Sequence, residues 1–367
     1  MLEEFSFDKV NTAVAVSLKL PETTSIEVSS SLEELKFLAK TLGINIIESF
    51  TQSKSNIEPN YFIGKGKLDE IKAFIKDNEV DAVLFDNELT GIQERNLEKY
   101  LDKIIFGRTE IILNIFYKRA ATKEAKLQVQ LACLEYLKPR LKNRWDHFSR
   151  VEGGIGMRGG EGEKQLELDR RMIDNQIHTV KTRLKKVDVQ MSNRRKKRAS
   201  ANIVSLVGYT NAGKSTLFNL LSKAGVLSEN MLFSTLDPTI RRVYINDNLT
   251  ILLSDTIGFI NKLPHSLVAS FKSTLEEILQ SRLVLHVIDA SSPNVMNNIR
   301  CVNETLKEIE AHKIPHIRVF NKVDLLPNGA ADCIVSREHG DIFISALNNK
   351  GIDKLKDKIC ENLILAN

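Results

Sequence analysis

Several residue types and patterns are scarce in this chain of 367 residues, and each scarcity rules something out. Only four cysteines occur (Cys133, Cys301, Cys333, Cys360), with no CxxC pair and no histidine at zinc spacing. That excludes a disulfide framework and a structural zinc site, and reads as reduced thiols. The seven histidines are scattered, so no histidine-held metal is expected. No apolar run approaches the roughly 18 residues that a membrane-spanning helix needs. The opening MLEEFSFDKV is acidic and has no apolar core, so no signal peptide is expected and a cytoplasmic location follows. Negative charge is scarce in one place only. Residues 118–200 hold 22 Lys/Arg against 10 Asp/Glu, a surplus of +12 that leaves −7 for the rest of a +5 chain. A basic middle between two mildly acidic flanks predicts a polyanionic partner, nucleic acid before others.

What is present is best seen at Gly208, Tyr209, Thr210, Asn211, Ala212, Gly213, Lys214 and Ser215, which fit G-x-x-x-x-G-K-[ST]. An apolar run, Ile203 to Val207, precedes them and a helix-forming run from Thr216 to Leu221 follows. Strand, glycine-rich turn and helix in that order let backbone N–H groups and the helix N-terminus close around a phosphate. Lys214 is then placed for the β- and γ-phosphates, and the Ser215 hydroxyl for Mg²⁺. Downstream, Asn321, Lys322, Val323 and Asp324 follow an apolar strand. Guanine offers two adjacent N–H donors to one carboxylate and adenine does not, so Asp324 predicts a guanine site. Asp255, Thr256, Ile257 and Gly258 follow another strand, Leu249–Ser254. Asp255 would hold Mg²⁺ through water and the Gly258 N–H would sense the γ-phosphate. Between these segments lie Phe233, Ser234, Thr235, Leu236 and Asp237, then Pro238 and Thr239. Chemistry alone leaves Thr235 and Thr239 as equal candidates to complete the Mg²⁺ shell. Ser345, Ala346 and Leu347 are placed to pack on the guanine. Many GTPases carry glutamine after the DxxG to orient the attacking water, and here that position is Phe259. Slow intrinsic hydrolysis is expected, completed by a partner or another loop. Arg241 and Arg242 are the nearest arginines to the switch segment and read as solvated.

Three segments follow from the patterning. Residues 1–117 read as a small α/β domain, with strands at Thr12–Leu18, Ile44–Ile47, Ala82–Phe85 and Ile104–Phe106. Helices are expected from a capping box at Ser31–Glu34, at Leu68–Ile75 and at Ile92–Leu101. Ile63 to Leu68 would open the second of these, or bind an anion. Residues 118–200 read as a basic αα-hairpin. Its first helix belongs to a run from Arg108 to Leu141 broken near Ala120–Thr122. Its second begins near Lys164 and carries Ile173, Ile177, Val180, Leu184, Val187 and Met191 at heptad spacing. Internal packing of the hairpin is the simplest use of that seam, which favours a monomer; an intermolecular coiled coil is the alternative. The tip, Gly153 to Gly162, holds six glycines and Arg158. It suits close backbone approach to RNA or a plain linker. Arg140, Lys142, Arg144, Arg150 and the single Trp145 flank it, a set fit for phosphate contact and base stacking, with a core role open for Trp145. Arg194 to Arg198 adds five consecutive cations. Residues 201–367 form the nucleotide domain. The expected fold is α/β: a P-loop GTPase domain, an N-terminal α/β domain and a connecting antiparallel helical hairpin.

The ordered set GYTNAGKST, FSTLDPT, DTIGF, NKVD and SAL resembles the translation-factor class of GTPases, and FSTLDPT with DTIGF resembles its Obg–HflX branch. Arg108-Thr-Glu-Ile-Ile-Leu113, Leu127-Gln-Val-Gln-Leu-Ala132, Tyr136 to Leu141 and GGIGMRGGEGEKQLELDRR (Gly153 to Arg171) resemble the HflX family, over nearly the whole chain. The last stretch departs from the family's usual GGIGTRGPGETQLETDRR at Met157, Gly160, Glu161, Lys164 and Leu168, among others. The resemblance implies a GTPase with Mg²⁺ and GTP or GDP that associates with the large (50S) ribosomal subunit and its rRNA. It implies action in translation, ribosome rescue and splitting, or ribosome biogenesis. It places the Mg²⁺ ligands on Ser215 and Thr235, with Lys214, Thr235 and Gly258 as catalytic contacts. An RNA-binding assembly factor controlled by GTP occupancy is the alternative, and peripheral attachment to a membrane surface stays open.

Overall fold

In the computed structural model the described residues are 10–140, 161–196, 201–223, 232–233, 236, 239–247, 249–261, 267, 271–327 and 340–365. The chain divides into two compact units, one of residues 1–118 with 129–183 and the other of 119–128 with 184–367.

The first unit is built on a parallel sheet in the order β2-β1-β3-β4, from β1 (Thr12–Lys19), β2 (Asn45–Ser53), β3 (Ala82–Phe85) and β4 (Ile104–Gly107). The inner strands β1 and β3 are almost wholly buried, as near-continuous apolar runs in parallel sheets must be. Helix α1 (Ser25–Thr41) packs on β1 and β2. Helices α2 (Lys65–Asp77) and α3 (Gly91–Leu101) bury Leu68, Ile71, Ile75, Leu97 and Leu101 against Val14, Val16, Val83 and Phe85. Helix α1 opens at Thr24, whose hydroxyl accepts from the Glu27 N–H while Glu27 accepts from the Thr24 N–H. The capping box read at Ser31–Glu34 is therefore about two turns too late within the same helix, although Thr24 and Glu27 carry the same signature. Ser31 and Glu34 instead serve a buried ion cluster. Arg108 meets Asp86 at 2.7 Å and Glu34 at 2.9 Å, and Ser31 Oγ donates to Asp86 at 2.7 Å. Arg108 begins α4 (Arg108–Arg119), and a break at residues 120–122 separates it from α5 (Lys123–Leu137). Pro139 lies in the 3₁₀ turn Lys138–Arg140 that ends this helical run. Helix α6 (Glu161–Lys196) runs antiparallel to α5, because Lys138 pairs with Asp174 at 2.5 Å and Lys181 pairs with Glu135 at 2.8 Å. Of the heptad seam, Ile173, Val180 and Leu184 are buried, and Ile177, Val187 and Met191 are half-buried.

The second unit carries a six-stranded sheet in the order β10-β9-β8-β5-β7-β6. Its strands are β5 (Ile203–Gly208), β6 (Thr239–Asn246), β7 (Leu249–Asp255), β8 (Leu283–Asp289), β9 (His316–Asn321) and β10 (Ile342–Phe343). All pairings are parallel except β6 with β7. Helices α7 (Lys214–Ser222) and α10 (Ile352–Leu365) cover one face with Leu217, Phe218, Leu221, Leu355, Ile359 and Leu363. Helices α8 (Lys272–Leu279) and α9 (Val295–Glu308) cover the other with Leu275, Ile278, Val302 and Leu306. The order reverses at β5, so the loop leaving β5 stands at the topological switch point where such sheets take ligands.

One residue is out of keeping with this core. His286 in β8 is 2% exposed, on the same face as Val284 and Ile288. Burial holds its pKa down to about 3, helped by the positive charge of His316, Arg318 and Lys214. An unfolded histidine takes up a proton near pH 6.5 and this one does not until about pH 3. The unfolded state therefore binds more protons within that window. Stability is full above pH 6.5 and falls as pH drops through it, by up to about 1.4 kcal/mol per pH unit. Urea unfolding from pH 7 to 4 is expected to show this slope in the protein and a shallower one in His286→Phe; equal slopes would rule it out.

Candidate functional site

Strand β5 turns out of the sheet at Gly208, where a Cβ would lie 2.2 Å from the Val287 carbonyl oxygen of β8. Only glycine lets the two backbones come that close. The chain then closes on itself, with the Ala212 N–H donating to Tyr209 O, and enters α7 through Gly213 at φ +90°. Asn211, at φ +60°, shares the left-handed conformation that aims successive N–H groups into one concavity. Thr216 is half-buried in the first turn of α7. Lys214 is 6% exposed, and its Nζ donates to the carbonyls of Gly208 at 3.1 Å and Tyr209 at 2.9 Å. Burial lowers its pKa to about 8, against the pull of Asp255. Ser215 Oγ donates to Asp255 Oδ2 at 2.8 Å, which sets two buried oxygen donors of the kind a hard divalent cation takes side by side.

The segment after β7 is laced onto this loop. Thr256 Oγ1 donates to Leu206 O at 2.6 Å. Phe259 N–H donates to Gly208 O at 3.1 Å, Thr210 N–H donates to Phe259 O at 2.7 Å, and Asn261 N–H reaches the Tyr209 hydroxyl at 2.8 Å. Ile257 is buried. A Cβ on Gly258 would lie 2.9 Å from Thr210 Cγ2 and 3.0 Å from Lys214 Nζ. The Phe259 ring is sunk among Val207, Leu275, Ile278, Val284 and Val302. Where many GTPases present a glutamine to water, this chain turns its side chain into the core.

At the other end of the site, Asn321 is buried at the end of β9. Its Nδ2 donates to Ala212 O at 2.9 Å and its Oδ1 accepts from the Ala346 N–H at 2.9 Å. One side chain thus joins the phosphate-loop segment, the Asn-Lys-Val-Asp corner and the Ser-Ala-Leu turn. Lys322, at φ +64°, pairs with Asp289 at 2.6 Å, and the Val323 N–H donates to Ile344 O. Asp324 stays exposed in the 3₁₀ turn Val323–Leu325. Ser345 pairs with Lys350 through both backbone groups, Ala346 is buried and Leu347 is 78% exposed.

Of the switch segment, Phe233 (φ +55°) and Leu236 are buried. Ser234, Thr235 and Asp237 lie outside the described residues, as do the glycine tip up to residue 160, Trp145, Lys142, Arg144 and Arg150. Thr239, the other hydroxyl considered for the cation, opens β6 directly opposite Asp255. Arg241 and Arg242 are exposed on β6. Sequence reasoning missed the Asn321 bridge, the Tyr209–Asn261 bond and the Lys322–Asp289 pair. Asn321 had a signal, since an asparagine opening the base motif needs a use; the other two had none.

A doubly wound sheet whose switch-point loop is braced in this way against an Asn-Lys-x-Asp corner is that of a P-loop GTPase. The comparisons carry this further. Three family models match in succession: "GTP-binding GTPase N-terminal" at residues 29–117, "GTP-binding GTPase Middle Region" at 119–198 and "50S ribosome-binding GTPase" at 203–322. The chain is 43% identical to the GTPase HflX of Escherichia coli K12, over 97% of this chain and 84% of that one. It is also 43% identical to the GTPase HflX of Caldanaerobacter subterraneus, over 98% and 82%. It belongs to the HflX family of GTPases. Among solved structures it is similar to the GDP complex of SsGBP, with 25% identity, a TM-score of 0.54 and coverage of 98% of this chain and 100% of that one. A GTP-binding protein from Sulfolobus solfataricus in complex with GDP, at 22% identity and a TM-score of 0.50, covering 98% and 100%, shares the fold. Among the described residues no helix is long and apolar enough to cross a membrane.

Gly213→Ala is expected to fail on two grounds, the φ of +90° and a Cβ 2.2 Å from Asn321 Nδ2. A loss of about 1–3 kcal/mol follows from the backbone conformation alone. Thermal unfolding of the nucleotide-free protein measures it, and a midpoint matching that of the unaltered protein would count against the Asn321 brace.

Proposed function

We propose that this GTPase binds GTP in the loop Gly208–Ser215, hydrolyses it slowly on its own, and does its work on the large ribosomal subunit. The observation that carries the nucleotide assignment is the Asn321 bridge, which ties the strand end just before Lys322–Asp324 to the phosphate-loop segment. In the bound state Lys214 exchanges the carbonyls of Gly208 and Tyr209 for β- and γ-phosphate oxygens, whose negative charge favours the ammonium form that burial disfavours. Asp324 accepts the two N–H donors of guanine. Leu347, 78% exposed, covers the base. Ser215, with Thr235, would hold Mg²⁺ and Asp255 would reach it through water; the ion neutralises phosphate oxygens when bound.

The ribosomal assignment rests on the "50S ribosome-binding GTPase" match at residues 203–322 and on the charge of α6. Arg170, Arg171, Lys181, Arg183, Lys185 and Lys186 are exposed along that helix, and the sequence continues into five consecutive cations, Arg194–Arg198. Such a surface binds RNA backbone with steep salt dependence. Contact with the subunit then supplies the water-orienting help that Phe259 withholds. The inward turn of Phe259 also favours a second reading, an RNA-binding assembly factor in which GTP occupancy controls attachment and hydrolysis only ends it.

GTP turnover of the purified protein, alone and with purified large subunits, decides between these, with Asp324→Asn as control. Stimulation that the control loses is expected. Tight GTP-dependent binding without stimulation would favour the occupancy reading. Neither binding nor stimulation would remove the ribosome as partner.

A further inference from the structure

The hairpin in the first unit holds a cleft that the nucleotide chemistry does not use. It lies between α5 and α6 and has a volume of about 400 Å³. Its floor is Leu134 and Leu137 of α5 with Val180 of α6, all buried. Its walls are polar: Gln130 on one helix, and Asn175, Gln176, Thr179 and Arg183 on the other. The hairpin is fastened along its opposite flank, where Asp174 and Lys181 of α6 pair with Lys138 and Glu135 of α5. Gln176, Thr179 and Arg183 leave α6 on the other side of the seam residues Ile173 and Val180. The Thr179 hydroxyl donates to Asn175 O at 2.8 Å. Among the described residues, the side chains of Gln130, Asn175, Gln176 and Arg183 have no hydrogen-bond or ion-pair partner. Three carboxamides and a guanidinium thus border an apolar floor with their bonding capacity open. None of the lining residues is acidic.

We propose that this cleft takes one unstacked base of a single-stranded RNA segment. The proposal deepens the ribosomal reading above and rests on it for the partner. The volume falls within the roughly 300–1,000 Å³ of small-ligand sites, so a base with its ribose enters and a duplex does not. A base has two flat faces and an edge of hydrogen-bond donors and acceptors. Leu134, Leu137 and Val180 cover one face. Carboxamides carry a donor and an acceptor side by side and match the edge. Arg183 takes the adjoining phosphate, for which its planar fork of donors is suited. Single-stranded RNA is recognised in this way, through bases splayed out of the stack. An apolar protein segment laid in the cleft would leave the carboxamides covered and unpaired, at a cost in free energy. The cleft is also set into the helix whose exposed cations suit an RNA backbone.

The experiment measures binding of a fluorescently labelled single-stranded oligoadenylate, of a duplex RNA of equal length and of purified large subunits. Adenine is the probe because a carboxamide can bond its edge at two points. The proteins are the unaltered chain, Gln176→Leu, which removes an edge contact, Thr179→Phe, which fills the cleft from its exposed wall, and Arg183→Gln. Gln176→Leu and Thr179→Phe are each expected to weaken single-strand binding about tenfold, near the worth of one bound base, and duplex binding by less than about twofold. Both should keep the intrinsic GTP turnover and the unfolding midpoint of the unaltered protein. Arg183→Gln should flatten the slope of log affinity against log salt by about 0.7, the share of one single-strand phosphate. Unchanged single-strand binding in both cleft variants overturns the proposal and leaves the exposed cations of α6 as the RNA contact. Equal losses for single strand and duplex overturn it as well, since a base site discriminates between them. An unaltered protein that binds no oligonucleotide does the same. If the cleft variants lose large subunits but hold the oligonucleotide, the cleft receives a ribosomal protein and the proposal fails. Cleft-dependent oligonucleotide binding by a protein that ignores large subunits removes the ribosome as partner and keeps the base site.

Discussion

The site depends on a single carboxamide. Asn321 holds Ala212 O with one end and the Ala346 N–H with the other, both at 2.9 Å and both buried. A buried amide left without partners is costly, and one with both ends satisfied is a rigid strut. It fixes the distance between the Gly208–Ser215 loop and the Asn321–Asp324 corner. Gly213 lies so close to this side chain that any Cβ would strike it. The glycine of the phosphate loop and the asparagine of the base motif are therefore one structural decision, though the sequence places them far apart.

A second constraint concerns the segment after β7. It adds to the phosphate loop almost as a strand, through the Phe259–Gly208 and Thr210–Phe259 bonds. Its phenylalanine anchors it by burial among α8, α9 and β8 residues. A glutamine there would face a choice between water and the core, whereas phenylalanine has only the core. This chain's departure from the usual water-orienting residue is thus also a change in how this segment is fastened.

Much of this was legible in advance. The strand–loop–helix around Lys214, the Asp255–Gly258 and Asn321–Asp324 segments, and the alternation of strands and helices in both units rest on short-range rules of phosphate binding and hydrophobic periodicity. The helix break at residues 120–122 and the antiparallel hairpin were legible for the same reason. Beyond the bonds missed at the site, three things were not. Ser31 and Glu34 satisfied a capping rule that Thr24 and Glu27 satisfied equally well. Only the demand of the buried Arg108 and Asp86, far along the chain, decides which pair caps. The extension of β2 to Ser53 follows from its pairing with the whole length of β1, and not from its own polar residues. The inward turn of Phe259 needed the three-dimensional position of Val302 and Leu306.

Strand β6 is the outermost of its sheet and is bonded on one side only, to β7. An inner strand must surrender two ladders to shift and an edge strand only one. The chain leading into Thr239 therefore feeds the part of the sheet that costs least to displace. Thr239 is paired with Asp255, the residue that also holds Ser215. Tension applied upstream of β6 would reach the Ser215 and Asp255 oxygens along a single rung, with the parallel core of the sheet as its fixed abutment.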